Sequence, residues 1–240
     1  MQTVSFENLQ EADLVVDGVY LGGRRGNAGD DPFPRLLTVS NQGGFRFRGT
    51  VSALEMLVLT SSMSDPDWPD GLDRETGVFT YYGDNKKPGR ALHDTPRHGN
   101  ELLRNVFQLG HENEQGRRQV PPILLFGNLG QWRDVVFLGL AVPGTSDLRS
   151  SEDLVAIWRT SGGKRFQNYR ARLTVLDVPV VSRSWLADML AGNPFTENAP
   201  GPWRQWCDAG IARPLIAKRS LEHRTRAEQL PADSEGRAII

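Results

Sequence analysis

Chemically versatile side chains are most concentrated between Ser64 and Gly89, in SDPDWPDGLDRETGVFTYYGDNKKPG. Trp68, Asp70 and Asp73 fall in a loop rich in proline and glycine, and VFTYYG follows at once, so a hairpin would return Tyr81 and Tyr82 to the side of that loop. Flat aromatic walls with a carboxylate at their edge suit a single unstacked pyrimidine, because the ring can stack while the exocyclic amine of cytosine donates to the carboxylate. Side chains alternate along a strand, so Tyr81 and Tyr82 cannot both face one way; one stacks and the other packs. A plainer reading makes Trp68 and the tyrosines core residues, with Asp70 and Asp73 turning the loop or capping amides, and taken alone these residues favour it.

The elements that must position this loop are short. Twenty-five glycines and fifteen prolines in 240 residues punctuate the chain too often for long helices over most of its length. Apolar and β-branched runs predict strands over 14–21, 45–51, 55–60, 78–82, 122–126, 135–142 and 171–176. Helices are predicted in GNELLRNVFQLGHEN, where Leu102, Leu103, Val106, Phe107 and Leu109 share a face, in SSEDLVAIWRT, with its serine and acids at the start, and in SRSWLADMLAG. Strands first, helices inserted and a helical finish describe an α+β fold around a strongly bent sheet or barrel. A recognition unit over 1–196 is expected to be followed by an extension over 197–240, a packed loop and short helix and then a charged, outward-leading helix. The apolar ending EGRAII reads as the junction to a further domain.

Composition excludes several classes. An apolar share of 38% supports a buried core, and no stretch approaches the roughly 20 apolar residues of a membrane span. The start MQTVSFENLQEADL lacks the basic and apolar regions of a signal peptide, so a cytoplasmic location is expected. One cysteine, Cys207, cannot form an internal disulfide, and with four scattered histidines it offers no zinc-ligand spacing; no metal or cofactor is expected in this chain. The formal net charge is only −1, yet basic residues gather in GGRRG, GFRFRG, DNKKPGRALHDTPRHGN and GGKRFQNYRAR. A neutral chain can still present one basic face to a polyanion. Arg24 and Arg25, and Arg46 and Arg48, sit among glycines that let backbone approach a duplex, where they could enter a groove or fill the gap left by an extruded base. Lys86, Lys87, Arg90, Arg97, Lys164, Arg165 and Arg170 read as phosphate contacts, or else as a solvated charged face.

The runs GGRRGNAGDD, GGFRFRG and WPDGLDRETGVFTYYGDNKKPGRALHDTPRHGNELLRNVF, with VPPILLFG, DVVFLGLAVPG, EDLVAIWR and FQNYRARLTVLDVPVVSRSWL downstream, resemble the N-terminal recognition domain of AspBHI-type, MspJI-like modification-dependent type IV restriction endonucleases. That domain is similar to the SRA fold. The resemblance implies an SRA-like curved sheet or barrel with flanking helices, binding double-stranded DNA that carries 5-methylcytosine or a related 5-modified cytosine by base flipping. VFTYYG and RHGNELL match the SRA pattern FFTYTG and its Asn-Gly-Asn-like element. Counted back from Gly77, Asp73 falls at the pattern's cytosine-reading carboxylate, with Asp70 in reserve. Tyr81 aligns with its stacking tyrosine and Tyr82 with a small hydroxyl residue, while Trp68 could form the second face. The larger Tyr82 departs from the pattern.

Cleavage is not expected of this chain alone. Asp134, Glu152, Asp153 and Asp177 lack a following Glu-X-Lys element, so a nuclease domain of the PD-(D/E)XK type, with its Mg2+, would lie downstream, and oligomerisation would run through the full-length protein. Two other readings compete. HDTPRH places His93, Asp94 and His98 together as a hydrolase could, although no serine or cysteine nucleophile sits in a recognisable turn beside them. Alternatively, the WPD and PGPW loops could grip an extended peptide.

Overall fold

The structure is a computed structural model that describes residues 2–40 and 43–217. The strands are β1 (Thr3–Val4), β2 (Leu14–Val15), β3 (Val19–Tyr20), β4 (Phe45–Thr50), β5 (Ala53–Ser61), β6 (Gly71–Asp73), β7 (Val78–Tyr82), β8 (Ile123–Asn128), β9 (Val135–Pro143), β10 (Leu154–Ser161), β11 (Lys164–Val175) and β12 (Val180–Val181). The α-helices are α1 (Phe33–Leu36), α2 (Gly99–His111), α3 (Glu114–Arg117), α4 (Ser150–Asp153), α5 (Arg183–Leu190) and α6 (Gly201–Ala209). Ten strands form one mixed sheet whose main path runs β4-β5-β8-β9-β11-β7-β6, while β12 and β2 pair separately. The path does not close on itself among the described residues, so the fold is an α+β assembly around an open sheet rather than a closed barrel.

Register follows from burial. Every residue of β8 from Ile123 to Gly127 is buried, as expected of a strand covered on both faces, and it lies parallel to β5, with Ser61 opposite Gly127. Parallel neighbours need a crossover, and α2 lies on it. Its apolar side, Leu102, Leu103, Val106 and Phe107, is buried in the core as the sequence spacing requires, while Leu109 is half-buried. The long β11 pairs with β10 along its first half and with β7 from Arg170 to Thr174.

Two expectations change. SSEDLVAIWRT does begin with a helical turn, but α4 lasts four residues before the chain extends into β10. Val155, Ile157 and Trp158 favour a strand, and Gly162 and Gly163, at φ 54° and 74°, form a two-residue hairpin turn that leads into β11 well before the expected start at Ala171. The expected strand over 14–21 is broken into β2 and β3 by a turn in which Asp17 has φ 63°.

Past the expected boundary at 196, Ala199, Trp203, Trp206 and Cys207 belong to the same core. Trp203 packs 5.1 Å from Trp185, and Arg117 donates to the carbonyls of Trp206 and Cys207. Residues 199–207 thus pack into the core. The expected outward helix lies in 218–240, outside the described residues.

A buried polar knot holds the loop after β7. The Asp84 carboxylate accepts from the amides of Gly99 and Asn100 at 3.0 Å each, capping α2. Asn168 Nδ2 donates to the Gly83 carbonyl at 2.9 Å, and its Oδ1 accepts from the amides of Asn85 and Tyr169. Asn85 in turn donates to the Gln167 carbonyl and Asn100 to that of Leu92. Gly83 is where this knot tolerates no side chain, because a Cβ would overlap Asn100 Oδ1 and crowd Asn168 Oδ1. Gly83→Ala should lower unfolding stability by about 3 kcal/mol, the upper range for overpacking a core. Gly71→Ala, where a Cβ meets nothing, should change it by less than about 0.5 kcal/mol. Denaturant unfolding of the two variants checks the contrast.

Candidate nucleotide-binding site

A cavity of about 580 Å³ opens beside the end of β7. Its wall includes Gly44, Thr60, Ser61, Asp70, Tyr81 and Tyr82, with Asp65, Asp84, Lys86, Arg97 and Asn128 and the buried Arg46 among the other lining residues. Alternation along β7 divides the two tyrosines as expected. Tyr81 points into the core, edge-on to Phe45 at 5.3 Å, and its hydroxyl lies 3.1 Å from the Gly44 carbonyl and 3.2 Å from that of Thr60. Burial, with Asp70 and Asp84 near, holds its pKa well above the ordinary tyrosine value, so the hydroxyl stays a donor. Tyr82 faces the other way, half-exposed, and presents ring surface at the cavity.

Asp70 is the buried acid. At 9% exposure, its Oδ1 accepts the Tyr82 amide at 2.7 Å and its Oδ2 the Ser61 hydroxyl at 2.7 Å. Burial raises its pKa above the usual carboxylate range, opposed by those two donors and by Lys86. Each oxygen keeps acceptor capacity beyond its one protein donor.

Asp73, the first choice from the sequence pattern, does not line the cavity. Exposed on β6, it turns the chain: Oδ1 accepts the Glu75 amide at 2.9 Å and Oδ2 the Thr76 hydroxyl at 2.8 Å, which hold its pKa down. The pattern places the carboxylate by counting along the loop, whereas the cavity is met three residues earlier, where the chain passes the ends of β5 and β7.

Trp68 also lies outside the lining. It is 5% exposed, 5.6 Å from Tyr82 and 6.1 Å from Phe166, with the Arg159 guanidinium 5.2 Å from its ring, so it braces Tyr82 from behind instead of forming a second face.

The basic residues differ in burial and in what holds them. Arg46 is buried, paired with Asp31 at 2.8 Å and bonded to the carbonyls of Ser40 and Gly43, so it fixes the loop before β4 instead of entering a groove. Arg48 pairs with Glu55 across the β4–β5 hairpin and reaches the Leu190 carbonyl, away from the cavity. Arg24 is clamped by Asp134 at 2.8 Å. Arg25 is exposed beside it. Lys86, paired with Asp65 at 3.3 Å, and Arg97 stand at the cavity, while Lys87 and Arg90 are exposed on the same loop. Lys164 and Arg165 are exposed where β11 begins, and Arg165 covers Trp158 at 4.5 Å. Arg170 sits opposite Tyr82 on β11, with its buried Nε lacking a hydrogen-bond partner.

The competing readings lose their geometry. His93 bonds the Tyr169 hydroxyl at 3.0 Å and His98 bonds Glu101, and neither bonds Asp94. Trp68, Trp203 and Trp206 are all buried, so the WPD and PGPW loops offer no tryptophan to a peptide. Among the described residues no group of three or more His, Cys, Asp or Glu could hold a metal ion, and no helix is long and apolar enough to cross a membrane. Ser61 and Asn168 carry no sequence signal as site residues; only the proximity of separate elements reveals them, whereas Asn100 lies in the RHGNELL run that resembles the SRA pattern.

The family described as restriction endonuclease AspBHI N-terminal matches residues 14–218. The chain belongs to this family. It is 49% identical to the DNA modification-dependent restriction endonuclease AspBHI, with a TM-score of 0.86 over 97% of this chain, and spans 59% of that endonuclease's length. It is 43% identical to the DNA recognition domain of the cytosine modification-dependent restriction endonuclease LpnPI, with a TM-score of 0.85 over 92% of this chain and 99% of that domain. The MspJI restriction endonuclease in complex with a 27-mer oligonucleotide shares the fold, with 21% identity and a TM-score of 0.64 over 92% of this chain and 57% of that one. No curated protein matches the chain.

The two acids of this AspBHI-type domain should respond oppositely to pH. With its native pKa raised, Asp70 holds more protons folded than unfolded over a window just above the ordinary carboxylate value, so its contribution to stability increases as pH falls through that window. With its pKa lowered, Asp73 contributes stability that is present at neutral pH and lost as pH falls through its native value. In thermal unfolding between pH 7 and pH 3, the parent should therefore gain on Asp70→Asn and lose ground to Asp73→Asn on acidification.

Proposed function

We propose that this domain binds double-stranded DNA containing 5-methylcytosine, or a related 5-modified cytosine, by taking the modified base out of the duplex into the cavity beside Tyr82 and Asp70. The observation that carries the reading is a cavity with an aromatic wall and a buried acid, in a chain that matches the full length of a cytosine modification-dependent recognition domain. The base ring would lie against Tyr82, held by Trp68 and Phe166 behind it. Asp70 would accept the exocyclic N4 amine of cytosine, its orientation fixed by Ser61 and the Tyr82 amide before the base arrives. Preorganisation of that kind lowers the cost of binding, because neither oxygen has to be reoriented. Extrusion costs a few kcal/mol, and stacking on one aromatic face returns about 1–3 kcal/mol.

Lys87, Arg90, Lys164 and Arg165, exposed in two loops, would meet the phosphates, with Lys86 and Arg97 at the mouth. A 5-methyl group adds only about 1 kcal/mol of apolar burial, so discrimination also draws on penalties against other bases. Within a whole enzyme this domain would deliver a separate Mg2+-dependent nuclease domain to modified sites, in a bacterial cytoplasmic setting.

Fluorescence polarisation with matched duplexes differing only at cytosine C5 tests the assignment. Asp70→Ala should lose at least about tenfold in affinity for the modified duplex, the order expected from leaving a buried donor unpaired. Asp73→Ala should keep the parent's preference. Replacing Lys87 or Arg90 by alanine should weaken modified and unmodified duplexes alike and reduce the logarithmic salt slope by about one each. An Asp70→Ala chain that still discriminates like the parent would refute the role given to that acid.

A further inference from the structure

Three large apolar side chains stand exposed along a rim formed by the segments that follow β5 and β8. Met63 follows β5 by two residues and is 40% exposed, Leu129 follows Gly127 of β8 by two and is 46% exposed, and Trp132 is 56% exposed. Ser61 and Gly127 are paired residues on parallel strands, so Met63 and Leu129 leave the same end of the sheet side by side. Asn128, immediately before Leu129, lines the cavity. Met63 is tied to the buried acid as well, because its amide donates at 2.9 Å to the same Ser61 hydroxyl that binds Asp70.

The turn carrying Trp132 is strained. Trp132 and Arg133 have φ 48° and 65°, a backbone region that bulky side chains rarely adopt, and Met63 has φ 51°. Hydrogen bonds and one ion pair hold the turn's backbone. The Leu129 amide bonds the Asp134 carbonyl, and the Asp134 amide bonds the Gln131 carbonyl. Asp134 Oδ1 also accepts the Gly22 amide at 2.8 Å, and Gly22 lies so close to the Trp132 carbonyl that a Cβ would collide with it. Arg24, clamped to Asp134, lies 5.6 Å from the indole centroid. A solvent-facing indole in a strained turn is unfavourable for the free protein and signals a use for the residue.

We propose that Trp132, flanked by Leu129 and Met63, inserts into the base stack at the position vacated by the extruded base. This deepens the function proposed above and rests on it. Removing one base from a duplex leaves two neighbours with exposed faces, and an apolar wedge that fills the step recovers part of the lost stacking. The rim fits the requirement: it is apolar, Met63 and Leu129 directly follow the cavity-lining Ser62 and Asn128, and Arg24 beside Trp132 brings the Arg24–Arg25 loop to where it can meet the backbone of the opened step. The sequence-based expectation gave gap-filling to Arg24, Arg25, Arg46 or Arg48; of these, Arg24, Arg46 and Arg48 are already held by Asp134, Asp31 and Glu55.

The test uses the 240-residue chain and duplexes carrying 2-aminopurine as the 3′ neighbour of the 5-methylcytosine. At saturating protein the parent should keep the probe dim, because the indole stacks on it, whereas Trp132→Ala should leave it bright and unstacked. Trp132→Phe, which keeps a flat ring, should restore most of the quenching. Affinity should fall at least about tenfold in Trp132→Ala on the modified duplex and by less than about threefold on the unmodified one, in line with the loss of one stacking contact. Equal probe signals in parent and alanine variant, or equal losses on both duplexes, would overturn the proposal and mark Trp132 as an ordinary groove contact. So would self-association of the DNA-free parent that Trp132→Ala abolishes, since the rim would then join two copies. A parent that does not prefer the modified duplex would defeat the function itself, and the wedge with it, whatever the variants do.

Discussion

The buried carboxylate of Asp70 is the constraint around which the site is arranged. A carboxylate at 9% exposure is costly unless its oxygens are satisfied, and here one is met by the end of β5 through Ser61 and the other by the end of β7 through the Tyr82 amide. These two bonds draw the 62–70 loop across two strands that are not neighbours in the sheet. They also decide which tyrosine is available. With the Tyr82 amide committed to Asp70 and the Tyr81 hydroxyl committed to Gly44 and Thr60, both tyrosines line the cavity, and the alternation of β7 leaves Tyr82 the more exposed of the two.

A second set of buried polar groups continues the chain from there. Gly83 follows Tyr82 directly, and the space a side chain would need is filled by Asn100 and Asn168. Asp84 then caps α2, so the loop from 84 to 98 is anchored at both ends while its middle carries Lys86, Lys87, Arg90 and Arg97 to the surface. Buried hydrogen bonds at the base of the loop fix where its cations stand, which a flexible basic loop would not achieve. A net charge of −1 conceals this arrangement, because Arg24, Arg46 and Arg48 are neutralised by nearby acids whereas Lys87 and Arg90 stand exposed.

Much of the fold was legible where local pattern and tertiary burial agree. The strands at 45–50, 78–82, 123–128 and 135–143 and the helices at 99–111 and 183–190 lie where apolar spacing put them, because each buries the face its pattern advertises. The 150–161 segment misled for a physical reason: helix-starting residues stabilise one turn, and the pairing of Val155 to Trp158 with β11, a long-range contact, then takes over. Past 196, where composition changes, the segment read as a packed loop and short helix places Trp203 and Trp206 against Trp185, Arg117 and the core.

For the site, the sequence by itself determined which residue types would be present: the WPD loop, the two tyrosines in opposite orientations, and clustered cations around a neutral average. It could not choose between Asp70 and Asp73, or know that Trp68 braces and Arg46 is buried. Residue type and strand periodicity are local properties, carried by the order of the chain. Whether an acid faces a cavity or a turn depends on how the ends of β5, β7 and β8 meet, and that meeting is set by the packing of segments far apart in the sequence. Tertiary structure alone placed Ser61 beside Asp70 and left Met63, Leu129 and Trp132 exposed.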